Sequence, residues 1–174
     1  MSSKEQLKAA LAAKDEKDSA AQLEKERLKY EEEERINRLI VSYQQAVEHL
    51  HTRITESVEG LGIRVSKKIA TVPLGSGDVK TIETVLARGE QSVSFKPRDI
   101  SKQQDLGNSC VLGTVRIGAT ILPGYFQFTL CLTSINEDGS GEWLLRHIDE
   151  NSVANEYIFD NARLYSVLQY LFAS

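Results

Sequence analysis

Three histidines, His49, His51 and His147, are the first residues to test for chemistry. His49 and His51 stand two apart in a stretch of helical character, so their side chains project about 200° from each other and cannot share a metal ion. Glu48 and His51 have the Glu-x-x-His spacing of di-iron bundles, but the chain holds no second such pair to complete a site. His147-x-Asp149 would place both side chains on one face of a strand, the face of Trp143 and Leu145. That is the arrangement of a general base and its orienting carboxylate, yet no nucleophile or second acid stands at an interpretable spacing. An enzymatic reading around His147 and Asp149 therefore ranks last, and the sequence reads as a non-enzyme.

Other motifs resolve into structure rather than chemistry. Leu74-Gly-Ser-Gly lacks the Gly-Lys-Ser/Thr of a phosphate loop and opens no helix, so it reads as a hairpin turn. Glu137-Asp138 lies in a Gly-rich bend, where Asp serves the turn. Cys110 and Cys131 fall inside apolar strand-like runs without metal spacing and read as buried thiols. No metal site and no cofactor is expected.

Charge is distributed unevenly. Residues 61–116 hold nine Lys/Arg against five Asp/Glu, whereas residues 117–174 hold two against seven. Within the basic middle, Arg64, Lys67, Lys68, Lys80, Lys96 and Arg98 are the candidates for binding an anion or an acidic partner, with Arg88, Lys102 and Arg116 in the same run. Phe95 is the only aromatic residue near these charges, which argues against a base-stacking platform for nucleic acid.

The elements that must carry these residues begin with a helix. Ile36, Ile40, Tyr43, Val47, Leu50, Ile54 and Leu61 alternate four and three apart, with Ser57 filling the gap, and average the 3.5-residue period of a coiled-coil seam. β-Branched residues at the a positions favour a parallel pair, so this stretch is expected to be an oligomer interface, although the same stripe could pack on the chain's own sheet. Val47→Asp with Ile54→Asp should then break the oligomer and spare the sheet. Residues 1–35 are rich in helix formers but carry no continuous seam, and read as a charged helical or frayed arm supported by pairs such as Arg27–Glu31, Glu31–Arg35 and Glu34–Arg38.

Past Gly60 and Gly62 the period becomes two. Strands are expected over 63–74, 79–88, 91–96, 110–122, 125–135 and 142–148, with turns at 73–78, Pro123-Gly124 and 136–141, and Pro97 marking a strand end or an edge. Asp160 can cap a final helix reaching Phe172, whose Leu164, Leu168, Leu171 and Phe172 make one apolar stripe. The expected fold is α+β: an arm (1–35), an oligomerisation helix (36–61) and a sheet domain (62–174) with five or six meandering antiparallel strands and a C-terminal helix.

No apolar segment follows Met1 as in a leader, and no run approaches the roughly 18 residues of a membrane span, so the sequence reads as cytoplasmic and without a membrane partner. Taken together, these features suggest a homodimer or higher even oligomer acting as an adaptor or inhibitor-type regulatory protein through contacts with another protein. A nucleic-acid or nucleotide binder using the basic strands is the alternative.

Overall fold

The computed structural model describes residues 2–75, 77–101, 111–120, 127–149 and 151–173. These form a long N-terminal helix α1 (Ser3–Ser57), an open antiparallel sheet and a C-terminal helix α2 (Asn161–Ala173), as the α+β reading requires. The sheet has seven strands where five or six were expected: β1 (Arg64–Leu74), β2 (Gly77–Arg88), β3 (Gln91–Ile100), β4 (Gly113–Ala119), β5 (Gln127–Ile135), β6 (Gly141–Ile148) and β7 (Ala154–Ile158). They pair in chain order as one meander. The chain divides into two units, Met1–Arg38 and Leu39–Ser174, and α1 contributes to both.

In the first unit the helix starts on half of a capping box, which the Ser2-x-x-Glu5 spacing would have revealed. The Glu5 carboxylate accepts the Ser2 N–H at 2.7 Å, and the Ser2 carbonyl accepts the N–H groups of Glu5 and Gln6. Leu7, Leu11, Leu23, Leu28 and Tyr30 are each more than half exposed, so no core forms here. Charge pairs support the helix instead: Arg27 with Glu24 and Glu31, Lys29 with Glu33, and Arg35 with Glu32. Arg35 turns to Glu32 rather than Glu31, and Glu34 accepts the Tyr30 hydroxyl at 2.9 Å.

The second unit owes its core to the rest of α1. Tyr43, Ala46, Val47, Leu50 and Ile54, with Val58 in the turn just past the helix end, are all buried against the sheet. Ala46 and Val58 widen the stripe from a narrow 3.5-residue seam to the 3.6-residue face of a helix lying on its own domain. The side chains expected to meet a partner helix, Tyr43, Val47, Leu50 and Ile54, are thus taken up inside this chain. Ile40 packs at the margin of the same core. Ile36 falls in the first unit, and Leu61 lies beyond the helix end, 49% exposed. Helix α1 stops at Ser57, and Gly60 and Gly62 then turn the chain into β1 with φ of 77° and 70°.

Glycines set how closely α1 approaches. A Cβ at Gly113 would run into the Tyr43 ring and come within 2.9 Å of the Asp99 carbonyl. A Cβ at Gly141 would run into Leu132 and lie 3.1 Å from the Ala46 methyl. Helix α2 closes the same core with Leu164, Val167, Leu168 and Leu171; the Asp160 carboxylate accepts the Arg163 N–H at 2.8 Å and caps it as expected.

Two strand readings are refined by the structure. Of the two outcomes expected at Pro97, a strand end or an edge, the edge is the one found: β3 continues to Ile100 through a register shift between Pro97 and Asp99. Pairing of β2 with β3 stops at Phe95, so Pro97 has a ladder only on its β4 side and its missing N–H costs nothing there. Strand β7 was not expected, because Asn155 and Glu156 interrupt its apolar pattern. Cys110, Lys102 and the Pro123-Gly124 turn lie outside the described residues.

Because the helix stripe is core, Ile54→Ala should destabilise the second unit by about 2–5 kcal/mol. Removal of residues 1–30 should leave the melting transition followed by near-UV circular dichroism in place. The paired aspartates at Val47 and Ile54 should unfold the sheet, not only dissociate an assembly.

Candidate anion-binding face of the sheet

Both helices of the second unit cover one face of the sheet, and side chains of opposite parity form the other. Along this open face the register aligns Lys96, Arg116, Thr129, Arg146 and Glu156 in a single row across β3 to β7. Arg146 and Glu156 neutralise each other, with both Nε and Nη2 donating to Oε1 at 2.8 and 2.6 Å. Among the described residues Lys96 and Arg116 have no such ion pair. They are directly opposite across β3 and β4, where like charges repel.

Beside them is a hollow of about 490 Å³, lined by Lys96, Arg98 and Arg116 together with Asp99, Thr114 and Thr129. Among the described residues no carboxylate lies within ion-pair distance of the three cations. The Asp99 carboxylate accepts the Thr114 hydroxyl at 3.1 Å. On the far side of the same strand the Tyr43 hydroxyl donates to the Thr114 carbonyl at 2.7 Å. Burial, followed by the nearby Asp99 charge, pushes the Tyr43 phenol far above its ordinary range, so it remains a neutral donor. The floor of the hollow is therefore tied to the helix packed behind it.

Four of the six expected basic residues, Arg64, Lys67, Lys68 and Lys80, do not line this hollow. Lys67 projects to the helix side and pairs with Glu48 at 2.9 Å. Lys68 is exposed opposite Glu83, and Arg64 is exposed at the start of β1. Lys80 stands opposite Thr71, which lines the hollow, while its carbonyl accepts the Gln44 amide at 2.7 Å. Lys96 and Arg98 are brought together with Arg116. Asp99, Thr114 and Thr129 were not singled out in the sequence, because only cross-strand register places them beside these charges.

None of the histidines is assembled into a reactive centre by these contacts. His147 stacks on Phe128 with ring centroids 4.7 Å apart. Asp149 instead accepts the N–H groups of Asn151 and Val153, each at 2.9 Å, and shapes the β6–β7 turn. His49 borders a second hollow beside Asp138, whose carboxyl is held below its usual range chiefly by hydrogen bonds from Ser140. His51 Nδ1 lies 2.9 Å from the Thr84 hydroxyl at the helix–sheet boundary. Cys131 is a buried free thiol. Among the described residues no group of three or more His, Cys, Asp or Glu could hold a metal ion, and no helix is long and apolar enough to cross a membrane.

No protein-family model, curated protein or solved structure matches the chain.

Burial, with Lys67 next, lowers the His51 pKa below its ordinary 6.5, outweighing the opposing pull of Glu48. Unfolded chains then bind more protons than folded ones between the lowered value and 6.5. The His51 contribution to stability is fully present above that pH and is lost as pH falls through the folded value. Melting temperatures from pH 7.5 down to 5 should accordingly decline less steeply for His51→Gln than for the unaltered protein.

Proposed function

We propose that this is a non-enzymatic binding protein that takes an acidic segment of another protein on the open face of its sheet. The observation that carries this reading is the convergence of Lys96, Arg98 and Arg116 on one hollow where, among the described residues, none of the three is within ion-pair distance of a carboxylate, the one carboxylate in the lining, Asp99, being bonded to Thr114. Keeping two like charges opposed on neighbouring strands costs stability, and an incoming anion would relieve it. Among the described residues no aromatic side chain lines the hollow, which favours a carboxylate-rich partner over a nucleic acid that would use stacking. An adaptor role fits this reading. Its helix-mediated oligomer does not, since Tyr43, Val47, Leu50 and Ile54 are spent in the core.

Calorimetric titration with a Glu-rich peptide and with a single-stranded oligonucleotide of equal charge tests the proposal. The peptide should bind, should weaken as salt rises from about 50 to 200 mM, and should lose at least about tenfold in affinity with Lys96→Glu plus Arg116→Glu. Tighter binding of the oligonucleotide would transfer the site to nucleic acid. Binding of neither ligand, or binding indifferent to charge reversal, would overturn the reading.

A further inference from the structure

The sheet has two ends, and they are built differently. β1 carries Lys67, Lys68 and Pro73, the charges and proline that discourage edge-to-edge pairing. β7 at the other end carries no Lys, Arg or Pro, and its Ile158 is 75% exposed. Its one charged side chain, Glu156, is neutralised by Arg146.

Main-chain directions on β7 follow from its pairing. The Asp149 N–H donates to the Val153 carbonyl and the Phe159 N–H to the Trp143 carbonyl, so odd-numbered residues direct their groups to β6. The main-chain groups of Ala154, Glu156 and Ile158 therefore point to the free side. Of these, the Ile158 carbonyl is taken by the Asp160 N–H at 3.2 Å.

We propose that β7 is a self-pairing edge, and that its occupant is β7 of a second copy of this chain, run antiparallel about a two-fold axis through Glu156. The register is self-complementary. Glu156 N–H and carbonyl meet their counterparts reciprocally, and each Ile158 N–H meets the carbonyl of the second copy's Ala154. On the open face each Ile158, whose cross-strand neighbour on β6 is Leu144, covers the second copy's Ala154. The two Glu156 side chains approach at the axis, where their Arg146 partners remove the repulsion that bare carboxylates would suffer. Such a contact is isologous and closes on itself. It would join two sheets edge to edge and place both basic hollows on one continuous face. The strands are short, so the interface belongs at the small end of sizes, below about 1,200 Å², and the dimer forms only at raised concentration.

Sedimentation equilibrium on the full chain over a wide concentration range is the test. Unaltered protein should show a reversible monomer–dimer equilibrium. Ile158→Lys and Ala154→Lys, both at exposed positions and checked for retained sheet by circular dichroism, should each weaken it at least tenfold. The arm variant Leu23→Glu with Leu28→Glu should leave it unchanged. A monomer at all concentrations, a dimer indifferent to the β7 variants, or a dimer lost in the arm variant would overturn the proposal.

Discussion

Close contact between α1 and the sheet is the constraint on which the second unit depends. Tyr43 and Ala46 occupy positions where the strands offer Gly113 and Gly141; a side chain at Gly113 would run into the Tyr43 ring, and one at Gly141 would collide with Leu132 and Trp143 and crowd Ala46. Interiors are packed near crystal density, so a displacement there would be transmitted to the surrounding buried side chains. The Tyr43 hydroxyl adds direction to this contact. By donating to the Thr114 carbonyl it satisfies a main-chain acceptor behind the hollow while Thr114's own hydroxyl steadies Asp99 in front. Packing on the covered face thereby fixes the chemistry of the open one.

A second set of ties locks the far end of α1. Arg53 donates to the Phe159 carbonyl at 2.7 Å and to Asn161 at 3.2 Å, and lies over the Phe159 ring. The Tyr165 hydroxyl donates to the Ser57 carbonyl at 3.0 Å, satisfying an acceptor that the helix end would otherwise leave open. Burial lowers the Arg53 pKa, with the Asp160 charge partly opposing it. These bonds seat the junction between β7 and α2, and so the sheet ends in a short strand that is anchored on one side and, among the described residues, has no strand paired on the other.

Charge shows how little linear position says about a surface. The basic excess over residues 61–116 is evident from composition, but alternation sends Lys67 to one face and Lys68 to the other, and cross-strand register selects which cations meet. Lys96 and Arg116 are twenty residues apart in the chain and directly opposed in the sheet.

By itself the sequence determined the elements whose signals are local. These are the α+β order, the periodicity of α1, the turns at Gly60 and Gly62 and the Asp160 cap. Local spacing specifies local dihedrals, and those readings needed nothing else. Whether the α1 stripe meets another chain or its own sheet was decided by tertiary structure, because both outcomes bury the same residues at nearly the same period; only Ala46 and Val58 widened the stripe. Strand β7 was likewise invisible, since its pairing with β6 supplies the stability that its own alternation of Asn, Glu and Tyr does not advertise. The hollow on the open face needed residues of four strands, β1, β3, β4 and β5, and register is set by packing against α1 and α2 rather than by any one segment.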